Sequence, residues 1–298
     1  MKVLVAGGSG LIGQAVLEVL LQRGFEVCQL VRTPPVDDHH LLWNPDRGEL
    51  AIPAVTWADA VISLNGASLT KLPWTSAYRR QILDSRLTPT GLIARTIAAA
   101  EPKPRVWVSA SAVGVYGNRP GEVLTEDSPR GSGFLADVVA KWEQATLPAV
   151  GCTRVVLART GVVLGRGGAL SPLVGLARHG LGGNIGSGRQ HWPWISLDDE
   201  ARAIVHLVAD SQLSGPVNLT APVSATAGDL TRAVARILHR PHLVPAPAWV
   251  LRTALGEAAR ELLLADQQVR PVRLLDEGRF QFTHLEVSAA LADVISQM

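Results

Sequence analysis

Apolar positions along this chain alternate between two spacings. Strand-length segments lie at residues 3–6, 26–31, 60–64, 105–111 and 153–158, and the apolar runs at 3–6 and 60–64 have the pattern of strands buried on both faces of a parallel sheet. Between them lie segments of helical spacing: residues 11–21, about 75–87, and a second stretch that Thr88 caps, Pro89 opens and Ala100 ends. A Pro/Asp/His loop at 33–40 precedes a weak strand near 41–43. Such alternation implies right-handed crossovers, so the first half is expected to be a doubly wound parallel α/β sheet.

The turn after the first run reads Gly7-Gly8-Ser9-Gly10-Leu11-Ile12-Gly13. Gly7 permits the tight turn, Gly10 lets backbone amides approach a pyrophosphate, and Gly13 lets the helix pack closely on the strand. The helix N-terminus offers unpaired N–H groups and a partial positive charge to that diphosphate. With a strand before it, a helix after it and a second strand following Gly24, the turn makes all seven residues candidate dinucleotide contacts and the sheet a Rossmann sheet. The second strand ends at Arg32, where an NAD-binding chain usually places an acidic residue for the ribose 2′-hydroxyl. A guanidinium there suits a 2′-phosphate, which favours NADP(H), with NADPH preferred over NADH; the alternative is an ordinary surface arginine.

Past Gly165 the texture changes. A glycine-rich segment at 180–188 leads to a helix at 198–209 and a short strand at 217–219 placed to rejoin the main sheet. Helix signals return at 229–238, a Pro-rich stretch spans 241–247, and a further helix is expected at 249–264. The expected organisation is a nucleotide-binding Rossmann domain of residues 1–165 plus about 196–220. A smaller α+β part, 166–195 and 221–298, closes over the carboxyl ends of the strands.

Bulk composition narrows the function classes. A net charge of +2 across 298 residues, with no Lys/Arg run, excludes a nucleic-acid stripe. No apolar run reaches 18 residues, so no membrane span is expected, and the glycines after the first strand do not fit a signal peptide. The two cysteines, Cys28 and Cys152, are far apart, each in a strand-like apolar setting, and read as buried thiols of a cytoplasmic protein rather than a disulfide or metal pair. The eight histidines show no ligand spacing, so no metal site is expected, and a homodimer is left open.

Several motifs carry a family resemblance. Val108-Ser109-Ala110-Ser111-Ala112-Val113-Gly114-Val115-Tyr116-Gly117 is similar to the serine-bearing strand and Tyr-Gly turn of extended short-chain dehydrogenase/reductases, and Trp194-Ile195-Ser196-Leu197-Asp198-Asp199 resembles another of their segments. Arg159-Thr160-Gly161-Val162-Val163-Leu164-Gly165, Gly180 to Gly183 and Ile185 to Gln190 resemble, more narrowly, the atypical branch of NADP-dependent nucleoside-diphosphate-sugar epimerases. Gly256-Glu257 and Gly278-Arg279-Phe280-Gln281-Phe282 resemble that branch's C-terminal domain.

The resemblance implies cofactor contacts from Leu64, Asn65 and Gly66, from Arg86 beside Ser85, from Gln81, and from the backbone of Val162. Arg86 could instead be a solvated helix charge, and Val162 simply core. The superfamily's proton chemistry needs a tyrosine four residues before a lysine on one helix face, with the lysine lowering the phenol's pKa. Lys141 matches the lysine, but Asp137 stands where the tyrosine should be. Ser111 matches the serine that bonds the reacting oxygen, with Ser109 as second choice. Tyr116 and Asp137 are the conceivable substitutes for the missing phenol. On the substrate side, Arg189 is expected to hold an anionic group while Trp192 or Trp194 stacks on a ring; interdomain packing is the alternative for both tryptophans. Asp198 and Asp199 read as helix caps.

Two functions therefore remain open. One is an NADP(H)-dependent epimerase/dehydratase-like oxidoreductase acting on a small polar substrate, a nucleotide sugar being one candidate. The other is an NADP(H)-binding regulatory or redox-sensing protein without hydride chemistry, as Asp137 suggests.

Overall fold

Seven strands form one parallel sheet: β1 (Lys2–Ala6), β2 (Glu26–Val31), β3 (His40–Leu42), β4 (Ala60–Ser63), β5 (Val106–Ala112), β6 (Arg154–Thr160) and β7 (Gly215–Leu219). In the computed structural model, which describes residues 1–298, their spatial order is β7-β6-β5-β4-β1-β2-β3. The order reverses between β1 and β4, opening a crevice at the carboxyl ends of those two strands. Alternate residues of one strand feed opposite faces. Val3 and Val5 enter a core with Val16, Leu20 and Ile204, whereas Leu4 and Ala6 enter a core with Ile93, Ile97 and Trp107.

Helices cover both faces. α1 (Leu11–Gln22) packs on α4 (Leu197–Ala209) over the first core; α2 (Ser76–Ala99) enters the second with Leu92, Ile93 and Ile97 and packs on α3 (Phe134–Gln144) through Tyr78, Ile82 and Val138. The two stretches expected on either side of Thr88 are one helix. Thr75 caps it through the Tyr78 amide at 3.1 Å, and the buried Pro89 sits inside it. Proline forfeits one backbone bond there, and its burial between α2 and its neighbours keeps the turn in place.

A third core lies beyond the sheet, where Leu164, Leu170, Trp192 and Trp194 meet α5 (Ala227–Ile237) and α6 (Val287–Ser296). The single helix expected at 249–264 is broken. Residues Ala248–Leu255 are helical, Gly256 turns the chain at φ +57°, and Ala259–Leu263 form a π-helical turn. Of the two cysteines expected to be buried, Cys28 is buried, whereas Cys152 sits half-buried in a turn. No helix is long and apolar enough to cross a membrane.

Candidate functional site

The crevice is built on the glycine turn. Gly7 has φ +87°, and a Cβ there would meet the Leu64 carbonyl carbon at 2.9 Å, so β1 and the end of β4 touch backbone to backbone. A Cβ on Gly13 would overlap the Gly7 carbonyl oxygen, which fixes α1 hard against β1. Gly10 meets nothing nearer than 3.5 Å, leaving its outer side open for close approach. The first helical bond is Gln14 N–H to the Gly10 carbonyl at 2.9 Å, so the Leu11 and Ile12 amides have no acceptor in the chain. Ser9 and Gly10 are exposed at the tip.

Beside that turn, α2 clamps the loop after β4. The Ser85 hydroxyl accepts from the Ala67 amide at 2.9 Å, while Arg86 donates to the Ile82 carbonyl at 2.9 Å and the Ala67 carbonyl at 3.2 Å. The guanidinium lies 5.2 Å from the centre of the Trp142 ring, and a Cβ on Gly66 would sit 3.1 Å from it. No carboxylate pairs with Arg86, and burial pulls its pKa down to about 10. The side-chain oxygen of Asn65 is buried without a partner. A desolvated cation, a free carbonyl oxygen and two free helix amides together suit a phosphorylated ligand with hydroxyl groups.

Arg32 is exposed at the end of β2 and makes no side-chain hydrogen bond or ion pair. The nearby Asp37 carboxylate is spent on the His39 amide at 2.9 Å and the His40 ring at 2.5 Å, and the His40 bond holds its pKa down. Gln81 is exposed on α2 without a partner.

The expected catalytic residues are not assembled. Lys141 is exposed on α3 without a hydrogen bond, and Asp137 is an exposed ion-pair partner of Arg130. Against the turn after β5, α3 presents Leu135 and Val139, whose side chains a Cβ on Gly114 would touch at 3.4 and 3.8 Å. Ser111 and Tyr116 are brought together, but within a buried network. Ser111 donates to Glu143 at 2.6 Å, and Arg159 pairs with both Glu143 oxygens at 2.8 and 2.9 Å. Arg159 also reaches the Tyr116 hydroxyl at 3.0 Å, and that hydroxyl donates to Asn218 at 2.7 Å. Burial raises the phenol's pKa, the reverse of what a proton-transferring tyrosine needs.

Four further expectations are corrected or qualified. Trp194 is 1% exposed and donates its indole N–H to the Val223 carbonyl at 3.1 Å, so it is a core residue with no face for a ligand. The Val162 amide is committed to the Pro193 carbonyl at 2.6 Å. Ser196, not Asp198 or Asp199, caps α4; Asp199 is buried, accepting from the Thr283 and His284 amides at 2.7 and 3.0 Å. Arg189 is exposed, without a side-chain partner.

A cavity of about 390 Å³ lies between the end of β5, the start of α3 and the segment after Gly256. It is lined by Gly114, Leu135, Arg252, Arg260, Glu261 and Gln267, among others. Glu261 accepts from the Phe134 and Leu135 amides at 3.2 and 3.1 Å, capping α3 from a distant part of the chain. Burial raises its pKa, against those two bonds. Arg252, Arg260 and Glu261 lie in no recognisable motif; the one signal in the sequence is the pair of arginines on either side of Gly256.

Comparison with known proteins places this geometry. An epimerase family protein of Mycobacterium leprae is 42% identical over 292 residues, covering 97% of this chain and 94% of that protein. The human epimerase family protein SDR39U1, crystallised with NADPH, superposes with a TM-score of 0.91 at 34% identity, each chain covered in full. A nucleoside-diphosphate sugar epimerase from Corynebacterium glutamicum matches with a TM-score of 0.82 at 32% identity, over all of this chain and 58% of that one. Residues 246–294 match a domain of unknown function (DUF1731). Residues 3–219 match the model of the NAD dependent epimerase/dehydratase family, and to that family the chain belongs.

Proposed function

We propose that this chain is an NADP(H)-binding protein of epimerase/dehydratase type, holding the dinucleotide across the crevice between β1 and β4. The observation that carries this is Arg86: a guanidinium drawn out of water beside the glycine turn, with no carboxylate opposite it, calls for an anion. A pyrophosphate on the Leu11 and Ile12 amides would supply one. Arg32, uncommitted at the end of β2, would take the 2′-phosphate, and the free Asn65 oxygen would accept from a ribose hydroxyl. The human relative crystallised with NADPH supports the same choice. When bound, the nicotinamide supplies a hydride donor or acceptor; the substrate is a small polar molecule.

A second reading, NADP(H) binding without hydride chemistry, is favoured by one observation. Leu135 and Val139, which face the turn after β5, have no proton to exchange, and Ser111 is spent on Glu143. One set of measurements separates the two. The protein is titrated with NADPH and NADH, then incubated with NADPH and a panel of nucleotide sugars and carbonyl compounds. Turnover supports the oxidoreductase; tight NADPH binding with no turnover supports the second reading. Equal affinity for NADPH and NADH overturns the assignment of Arg32, and failure to bind either overturns both readings.

A further inference from the structure

The cavity between α3 and the segment after Gly256 is richer in donors than in acceptors. Arg252 on the helix Ala248–Leu255 and Arg260 on the π-helical turn both line it, and neither makes an ion pair or side-chain hydrogen bond. The Asn118 side chain uses its oxygen on the Asp266 amide at 2.8 Å, which leaves its NH₂ group free. The one carboxylate present, Glu261, is already engaged by the Phe134 and Leu135 amides. Two unpaired guanidinium groups against one satisfied carboxylate leave a net positive field over the end of β5.

We infer that this cavity is the binding site for a small molecule carrying a carboxylate or phosphate, gripped by Arg252 and Arg260. This rests on the cofactor reading above, because Gly114 follows the carboxyl end of β5, the strand next to β4, which puts the cavity on the same edge of the sheet as the crevice. Size sharpens the class. At about 390 Å³ the cavity lies near the lower end of the ~300–1,000 Å³ typical of ligand pockets, which suits a monosaccharide-sized acid better than a whole nucleotide sugar. Placing Arg260 and Glu261 on a π-helical turn, a geometry that recurs at functional sites, fits a binding role for this segment.

The test uses the full chain saturated with NADPH. Binding of glucose 6-phosphate, glucuronate, glucose and UDP-glucose is measured by calorimetry, on the parent and on Arg252→Ala and Arg260→Ala. The expected result is binding of one or both charged sugars and none of glucose, with UDP-glucose no tighter than the better small acid. Each alanine variant should weaken the charged sugar at least about tenfold, the loss of one charge-assisted contact. Preference for the phosphate or the carboxylate identifies which anion the site serves. The inference is overturned if no charged sugar binds at millimolar concentration, if glucose binds equally well, if UDP-glucose binds far more tightly, or if both variants keep the parent affinity. NADPH titration of the same variants keeps the two proposals apart: cofactor binding retained with anion binding absent defeats this one alone.

Discussion

Glu200 gives a stability prediction whose size can be worked from the structure. It lies in the first turn of α4 with no exposed surface, and burial pushes its carboxyl up to about 8 from 4.5. One oxygen accepts from the Thr160 hydroxyl at 2.7 Å, and the other has no partner. A carboxyl that binds its proton more tightly folded than unfolded contributes stability in full below the unfolded value of 4.5. That contribution is lost as pH rises through about 8. At about 1.36 kcal/mol per pH unit the loss amounts to about 3 kcal/mol at pH 7 and about 5 kcal/mol by pH 9. Glu200→Gln keeps the shape and the acceptor for Thr160 but cannot ionise. Urea unfolding followed by tryptophan fluorescence at pH 5, 7 and 9 should show parent and variant close at pH 5. The variant should then gain progressively, by several kcal/mol at pH 9. A difference that stays constant across the three pH values would refute the burial of an ionisable carboxyl at this position.

Three other outcomes follow from the same geometry. Arg32→Ala should lower NADPH affinity about ten- to hundredfold, leaving NADH unchanged, because only the 2′-phosphate contact is removed; fluorescence titration with both nucleotides reads this. Trp194→Ala should cost about 3–5 kcal/mol of unfolding free energy, the penalty for emptying a core aromatic, whereas a pure loss of ligand affinity at unchanged stability would restore it to the substrate side. Lys141→Ala should change stability by less than about 0.5 kcal/mol and leave NADPH binding intact, as expected of an exposed, unbonded side chain.

The sheet was legible because its signals are local. Runs such as residues 60–64 are too short for helices and apolar on both faces, and the strand at 217–219 rejoined β6 as its pattern required. Signals depending on distant partners were not legible. Pro89 punctuates the sequence like a helix start, yet α2 runs through it because the helix is held from outside by packing. Trp194 reads equally well as a stacking platform or a core residue. Only the enclosure by Leu164, Leu170 and Trp192, brought in from elsewhere in the chain, decides for the core. Glu261 reaches the start of α3 from 126 residues away, a contact no local pattern announces.

The tyrosine–lysine expectation failed for a more instructive reason. A pair four residues apart shares a helix face, but the spacing does not say which face. Moving from Asp137 and Lys141 back two residues to Leu135 and Val139 turns the helix by about 200°, from solvent to the turn after β5. The sequence did hold the means to tell the faces apart. Leu135, Val138, Val139 and Trp142 form the apolar stripe, all of them buried, while Asp137, Lys141 and Gln144 lie opposite. A lysine on the polar stripe of an amphipathic helix has to point away from the sheet, whatever motif surrounds it. The proposed cofactor crevice and the helix that would carry the tyrosine–lysine pair are therefore built by different residues in this chain. The glycine turn, Arg86 and Asn65 are set by backbone approach and burial, and they persist beside a helix whose one inward carboxylate, Glu143, is committed to Ser111 and Arg159.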